Sequence, residues 1–193
     1  MTRQIVHATL LAALAALPAA AEQRSRGAHV HGIATVNVAV EGGTFVVMLE
    51  TPAANVTGFE HAPGSDAERE LVARAASRLG SGEAFTPDPD AGCELETAEV
   101  EGALLGDVAE YEHDDNDHAH GDDHVHDDGR GAQAHADFEA VLTWNCTRPE
   151  ALATVRINLF EMFDGFDTIT VNVAAPAGQI RIEATAASPT VSF

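Results

Sequence analysis

Alternating apolar and polar side chains predict β-strands over much of this chain. Between residues 30 and 40, apolar side chains share one face at Val30, Ala34, Val36, Val38 and Val40, with the two-residue period of a half-buried strand. The next run, Phe45 to Leu49, is apolar throughout, which is typical of a central strand. Glu41-Gly42-Gly43-Thr44 separates the two runs and predicts a tight hairpin turn.

Five later segments also predict strands. Two of them are Cys93 to about Val100 and Asp137 to Cys146. The other three have apolar residues at alternate positions, at Val155-Ile157-Leu159, Ile169-Val171-Val173 and Ile180-Ile182-Ala184. This makes about seven strands, largely sequential along the chain, which favours antiparallel pairing.

One segment has helical periodicity instead. Ser65 and Glu68 form the capping-box pattern that begins a helix, and Gly80 is suited to its end. The residues with the spacing of one buried helix face are Leu71, Val72, Ala75, Ala76 and Leu79. We therefore predict an α+β domain, mainly antiparallel β, with one helix.

The first 21 residues have the organisation of a secretory signal peptide. Arg3 supplies the positive charge, Ile5 to Leu17 the apolar stretch, and Ala19-Ala20-Ala21 the cleavage site. The apolar stretch is too short for a membrane span. We expect an exported protein without membrane insertion, in which residues 22–193 form a single domain.

Acidic residues dominate the composition and give a formal net charge of −21. Nucleic acids and anionic membranes are bound by cationic surfaces, so this charge argues against both as partners. It favours cations as ligands.

The most unusual stretch runs from Glu112 to Asp128, inside a long predicted loop at about 106–135. Its 17 residues include five histidines, seven aspartates and one glutamate. We expect this loop to be disordered without metal because it has almost no apolar side chain to bury. Imidazoles suit zinc, copper or nickel, and carboxylates add oxygen ligands. The candidate ligands in the loop are His113, His118, His120, His124, His126, His135, Asp122 and Asp123.

A second candidate site lies at the start of the first predicted strand. His29 and His31 are two residues apart on its polar face, and side chains with this spacing project the same way from a strand. This predicts that both can bind one ion from a rigid support.

Cys93 and Cys146 are the two cysteines of the chain. In an exported protein, such a pair predicts a disulfide. The loop that it closes contains the whole His/Asp-rich stretch.

Two other classes of protein share part of this pattern. His118-Ala119-His120-Gly121-Asp122 begins like the H-x-H-x-D-H signature of metallo-β-lactamase-type hydrolases, but Asp123 stands where a histidine is required. Catalysis also needs rigidly positioned ligands, so we expect no enzymatic activity. A calcium module is disfavoured because Asp114-Asp115-Asn116-Asp117 lacks the calcium-loop spacing.

Several motifs occur in a recognisable order: His29-Val30-His31-Gly32, Gly58-Phe59-Glu60-His61, the cysteines flanking a His/Asp-rich loop, Leu159-Phe160-Glu161-Met162-Phe163 and Gly178-Gln179. Together with the leader, they resemble the ZrgA-like family of zinc-regulated periplasmic proteins. The resemblance implies Zn²⁺ binding in the periplasm and a role in zinc acquisition beside an ABC zinc importer. It also adds His61, with Glu60, to the candidate ligands.

These features together predict a periplasmic zinc-binding protein that acts as a buffer or carrier in uptake. The alternative is a copper or nickel carrier, because most sites of this kind bind Cu²⁺ more tightly than zinc. Loops of the family are often dominated by histidine, whereas this one is rich in aspartate, so the loop leaves the choice of metal open.

Overall fold

The computed structural model of the protein describes residues 30–109 and 136–193. The predicted signal peptide at 1–21 lies outside these ranges, and so does His29. The predicted loop ligands also lie outside them, namely His113, His118, His120, His124, His126, His135, Asp122 and Asp123. His31, Glu60 and His61 are the predicted ligands that lie within the described ranges.

Strands dominate the described residues. In chain order, the elements are β1 (Gly32–Glu41), β2 (Thr44–Pro52), α1 (Ala53–Thr57), α2 (Asp66–Gly80), β3 (Phe85–Pro87), β4 (Cys93–Gly102), α3 (Ala103–Ala109), β5 (Asp137–Cys146), β6 (Thr154–Ile157), α4 (Leu159–Met162), β7 (Phe166–Ala175), β8 (Gly178–Ala184) and β9 (Thr190–Ser192). This content confirms the predicted α+β class. The sequence pattern missed β3 and β9, which have three residues each and are too short for alternation to be visible.

The described strands form two sheets. The larger has six strands in the order β4-β5-β2-β1-β7-β8, and the smaller has the order β3-β6-β9. β2 lies inside the larger sheet, as its apolar sequence predicts. Gly42, with a φ of 58°, forms the predicted hairpin turn between β1 and β2.

One pairing departs from the antiparallel pattern. β1 runs parallel to β7, from Gly32 opposite Phe166 to Ala39 opposite Ala174, whereas the other pairs of described strands are antiparallel. A parallel neighbour brings the starts of two strands to the same edge of the sheet. The residues before β1 and those before β7 therefore lie side by side.

The inward face of the larger sheet forms most of the core. The alternation predicted for β1, β5 and β7 is confirmed at their buried positions, which include Ala34, Val36, Val38, Phe138, Ala140, Leu142, Trp144, Ile169, Val171 and Val173. β2 was predicted to be apolar throughout, but it alternates too, since Met48 is 41% exposed between the buried Val47 and Leu49. In β8, the pattern placed Ile180 on the same face as Ala184, but Ile180 is 39% exposed and only Ala184 is fully buried. Helix α2 packs near β4 and β5 and buries Val72, Ala75 and Leu79. Leu71, which the pattern placed on this stripe, is 40% exposed.

The N-terminus of α2 has the predicted capping box. Ser65 Oγ accepts a hydrogen bond from Glu68 N, and the Glu68 carboxylate accepts one from Ser65 N, each at 3.2 Å. Within the described residues, none of the helices has the length and apolar character needed to cross a membrane.

Three described positions that were predicted to lie in strands lie outside them, namely Val30, His31 and Leu159. β1 begins at Gly32, so His31 lies in a turn and not on a strand face, and Val30 is 59% exposed. The two-residue spacing of His29 and His31 therefore does not place them on one strand face. Leu159 begins α4 and is buried there, because the chain turns after Ile157.

The predicted disulfide between Cys93 and Cys146 is present. The two cysteines are directly opposite each other in the β4–β5 pairing, and Cys146 faces the core. Strand register therefore brings together two residues that are 53 positions apart in the chain.

Candidate metal site

Three segments meet at the edge of the larger sheet where β1 begins. β2 runs antiparallel to β1 and ends there at Pro52, from which α1 follows directly. β7 runs parallel to β1 and begins there at Phe166. The candidate site is built from the turn before β1, the residues after α1 and the residues around the start of β7.

His31 lies in a tight turn. Ile33 N donates a hydrogen bond to Val30 O at 3.1 Å, and Gly32 has a φ of 82°. A positive φ at the third of four turn residues is characteristic of a type II turn and strongly favours glycine there. The turn projects the His31 side chain outward, and 68% of it is exposed.

Glu60 reaches the same place from α1. The helix ends at Gly58, whose φ of 88° reverses the chain. Thr57 Oγ1 then accepts a hydrogen bond from Phe59 N at 3.3 Å and lies 2.8 Å from Phe59 O. The Glu60 side chain is only 17% exposed, and its Oε1 lies 3.0 Å from His31 Nε2.

His31 and Glu60 are two residues of the types that bind zinc, and a tetrahedral zinc site needs four ligands. A hydrogen bond from His31 Nε2–H to the Glu60 carboxylate would leave Nδ1 as the His31 nitrogen able to bind a metal ion. A carboxylate paired with a ligating imidazole in this way is common in zinc proteins. The two atoms can also bind one ion directly, since tetrahedral ligands about 2.1 Å from zinc lie roughly 3.4 Å apart.

His61 is near this pair but is oriented differently. Its ring stacks on Phe59, with centroids 4.8 Å apart and planes at 20°. Nδ1 lies 3.0 Å from Ala62 O, and donation to this carbonyl would leave Nε2 as the nitrogen of this exposed ring that is able to bind a metal ion. The ring is held in place by local contacts and not by a contact with His31.

An open pocket of about 420 Å³ adjoins the His31–Glu60 pair. Asp164, just before β7, and Asp167, its second residue, are among the residues that line the pocket. Asp167 lies directly against Gly32. A Cβ added to Gly32 would be only 2.2 Å from Asp167 Oδ2. Among residues 30–109 and 136–193, no group of three or more His, Cys, Asp or Glu side chains is arranged to hold a metal ion.

Sequence reasoning missed Asn55, Asp164 and Asp167 as neighbours of His31. Asn55 is 3% exposed and hydrogen-bonds to both residues that follow His31. The aspartates are more than 130 positions from His31 in the chain and come near it through the parallel β1–β7 pairing. Alternation of apolar residues carries no information about which strands pair, so no local signal could have identified the aspartates.

Comparison with known proteins identifies the family. A family model described as ZrgA family zinc uptake protein matches residues 28–193. Because this match covers nearly the whole chain after the predicted signal peptide, the chain belongs to that family, as its motifs predicted. No curated protein matches the chain.

Proposed function

We propose that this member of the ZrgA family of zinc uptake proteins binds zinc in the periplasm and acts there as a buffer or carrier. It would deliver zinc to an ABC importer rather than catalyse a reaction. The observation that carries the proposal is the family match over residues 28–193. The strongly negative charge is consistent with it, since a formal charge of −21 raises the local concentration of cations.

The proposal includes two classes of zinc site. The first uses His31 and Glu60, with His29 and His61 as further ligands, and is supported by the 3.0 Å contact between His31 and Glu60. The second is the His/Asp-rich stretch from Glu112 to Asp128. A ligand pair held by turns and hydrogen bonds needs less ordering on binding than a stretch without a buried core, so we assign the tighter binding to the first class.

The position of Ala136 supports exchange of zinc between the two classes. Ala136 is the first described residue after the His/Asp-rich stretch, and its carbonyl accepts a hydrogen bond from Ala53 N at 2.8 Å. Ala53 is the first residue of α1, the helix that leads to Glu60. The chain therefore returns from the stretch at the same edge of the sheet as His31. The histidines of the His/Asp-rich stretch can therefore bind zinc first and transfer it to the site at His31 and Glu60.

Calorimetric titration of the metal-free mature protein with zinc tests the proposal. We expect at least two classes of site, with the tighter class weakened in His31→Ala. The metal content of protein isolated from its native compartment should be measured in parallel. Copper or nickel in that preparation would favour a carrier of another metal, and the absence of zinc binding would refute the proposal.

A further inference from the structure

Asn55 holds the backbone that carries His31. Its Oδ1 accepts a hydrogen bond from Gly32 N at 2.8 Å, and its Nδ2 donates to Ile33 O at 3.1 Å. The same Nδ2 donates to Thr51 Oγ1 at 3.1 Å. The amide oxygen and the amide nitrogen of Asn55 are thus both hydrogen-bonded. Because Gly32 N can only donate and Ile33 O can only accept, the amide oxygen must face Gly32 and the amide nitrogen must face Ile33.

The bond to Gly32 N acts directly on His31. The N–H of Gly32 belongs to the planar peptide group that also contains the His31 carbonyl. Fixing that N–H therefore restricts ψ of His31, and with it the direction in which the imidazole leaves the backbone. The bond from Ile33 N to Val30 O closes the turn on the other side, so the backbone around His31 is held from two directions.

Asn55 also belongs to the element that positions Glu60. It lies within α1, and the helix ends three residues later at Gly58, two residues before Glu60. Thr57 Oγ1 links this helix to the next segment, since it lies 2.9 Å from Ala53 O and accepts from Phe59 N. A single buried residue therefore connects the backbone of His31 to the helix that leads to Glu60.

The surroundings of Asn55 leave little room for it to move. It is 3% exposed, and Gly165 packs against its backbone so closely that a Cβ on Gly165 would be 2.4 Å from Asn55 O. Thr51, its third hydrogen-bond partner, is fully buried. Close packing of this kind transmits a change in one element to its neighbours.

We propose that Asn55 is a positioning residue for zinc binding, which sets the 3.0 Å separation of His31 and Glu60 by fixing the turn before β1 against α1. This inference rests on the proposed function, because it assumes that His31 binds zinc. Asn55 itself is buried and acts through His31, so its loss should lower zinc affinity at His31 more than at any other site.

The test is a zinc titration of the full mature chain, followed by NMR of ¹⁵N-labelled imidazoles. The His31 signal, assigned through its absence in His31→Asn, reports on this site separately from the loop histidines. Asn55→Ala should weaken zinc binding at His31 by about 10- to 100-fold, the range found for residues that act through a metal ligand. In the His31→Asn background, Asn55→Ala should cause no further loss in the zinc affinity of the whole chain measured by calorimetry, because its action runs through His31.

Asn158→Ala is the matched control. The Asn158 side chain also accepts one hydrogen bond, from Arg156 Nε, and donates two, to Glu83 O and Thr86 Oγ1. It lies beside the smaller sheet, so its removal should affect thermal stability without changing the His31 titration. If Asn55→Ala does not fold, Asn55→Asp serves instead, since it keeps the shape and the acceptor for Gly32 N but loses the bonds donated to Ile33 O and Thr51 Oγ1. We expect about tenfold weakening from it.

The outcomes separate the two proposals. Unchanged affinity at His31 in a folded Asn55 variant, while His31→Asn and Glu60→Gln weaken binding, would overturn the role of Asn55 alone. If His31→Asn and Glu60→Gln leave the zinc affinity of the whole chain unchanged, the ordered site of the proposed function is wrong, and the positioning role fails with it. Equal weakening in Asn158→Ala would show that the effect of Asn55 is one of general stability.

Discussion

The two ends of the larger sheet are stabilised in different ways. At the end where β1 turns into β2, the Cys93–Cys146 disulfide joins β4 to β5, and Cys146 N donates to Gly43 O at 2.7 Å. At the end where β1 begins, the turn that carries His31 is held by the buried side chain of Asn55. Backbone pairing is present at both ends, but one end adds a covalent bond between strands and the other adds hydrogen bonds from a buried side chain.

Under the proposed function, this difference separates stability from zinc binding along the strands. β5 has ten residues, and a strand rises about 3.3 Å per residue, so the two ends are roughly 30 Å apart. A disulfide acts mainly by restricting the unfolded chain, and needs no contact with the site. The residues at the His31 end can therefore be adapted to a ligand while the opposite end maintains the fold.

The largest expected effect is the loss of the disulfide. Replacing both Cys93 and Cys146 by Ala should lower the free energy of unfolding by about 4 kcal/mol, the loop-entropy value for a loop of this length, measured by urea denaturation. Zinc affinity at His31 should change by less than about twofold under conditions where the variant is folded, because distant sites are energetically independent. A folded variant without zinc binding would contradict the separation of the two ends.

The next largest effect concerns the ligands. In a chain that lacks residues 112–128, His31→Ala should weaken the zinc affinity of the remaining site by about 100-fold. Loss of a residue that only supports a ligand costs about 10- to 100-fold, and loss of the ligand itself should cost at least as much. Calorimetry measures this change, and urea denaturation should detect little loss of stability, because His31 is exposed. Glu99→Gln, on β4 away from the site, is the control. A deletion variant that binds no zinc would refute the ordered site.

Acid should distinguish the two classes of site. Imidazole binds metal only when neutral, so protons compete with zinc. For an unperturbed imidazole, with a pKa near 6.5, lowering the pH from about 7 to about 5.5 reduces the neutral fraction roughly eightfold. The His/Asp-rich stretch has more histidines to engage than the site at His31, so its binding should weaken more steeply. Calorimetry at both pH values, on the full chain and on the deletion variant, measures the difference. Equal weakening would show that both groups of histidines form one site.

The smallest expected effect is at the capping box of α2. Ser65→Ala removes the hydrogen bond from Glu68 N and should cost about 1 kcal/mol of stability, with no change in zinc affinity. Thermal denaturation with and without zinc measures both quantities, and Ser81→Ala, beyond the other end of the helix, is the comparison. Weakened zinc binding in Ser65→Ala would mean that α2 is coupled to the site.

Sequence reasoning succeeded where the signal is local. The bounds of β5, from Asp137 to Cys146, are the predicted ones, because a strand with one buried face alternates strictly. The capping box at Ser65 was also predicted, since its two hydrogen bonds join residues three positions apart. The sequence pattern wrongly placed His31 in the first strand. The strand begins one residue later at Gly32, which is also the third residue of the turn that contains His31.

Seven of the nine described strands, the main helix, the cysteine pair and the family were predictable from sequence alone, because each follows from short patterns or from motifs in a fixed order. The tertiary structure alone decided which residues surround His31. Alternation reports that a face is buried but not which strand lies beside it, and the parallel pairing of β1 with β7 joins residues as far apart as Asn37 and Asn172. Asn55 and Asp167 therefore became neighbours of His31 only when the strand order was set.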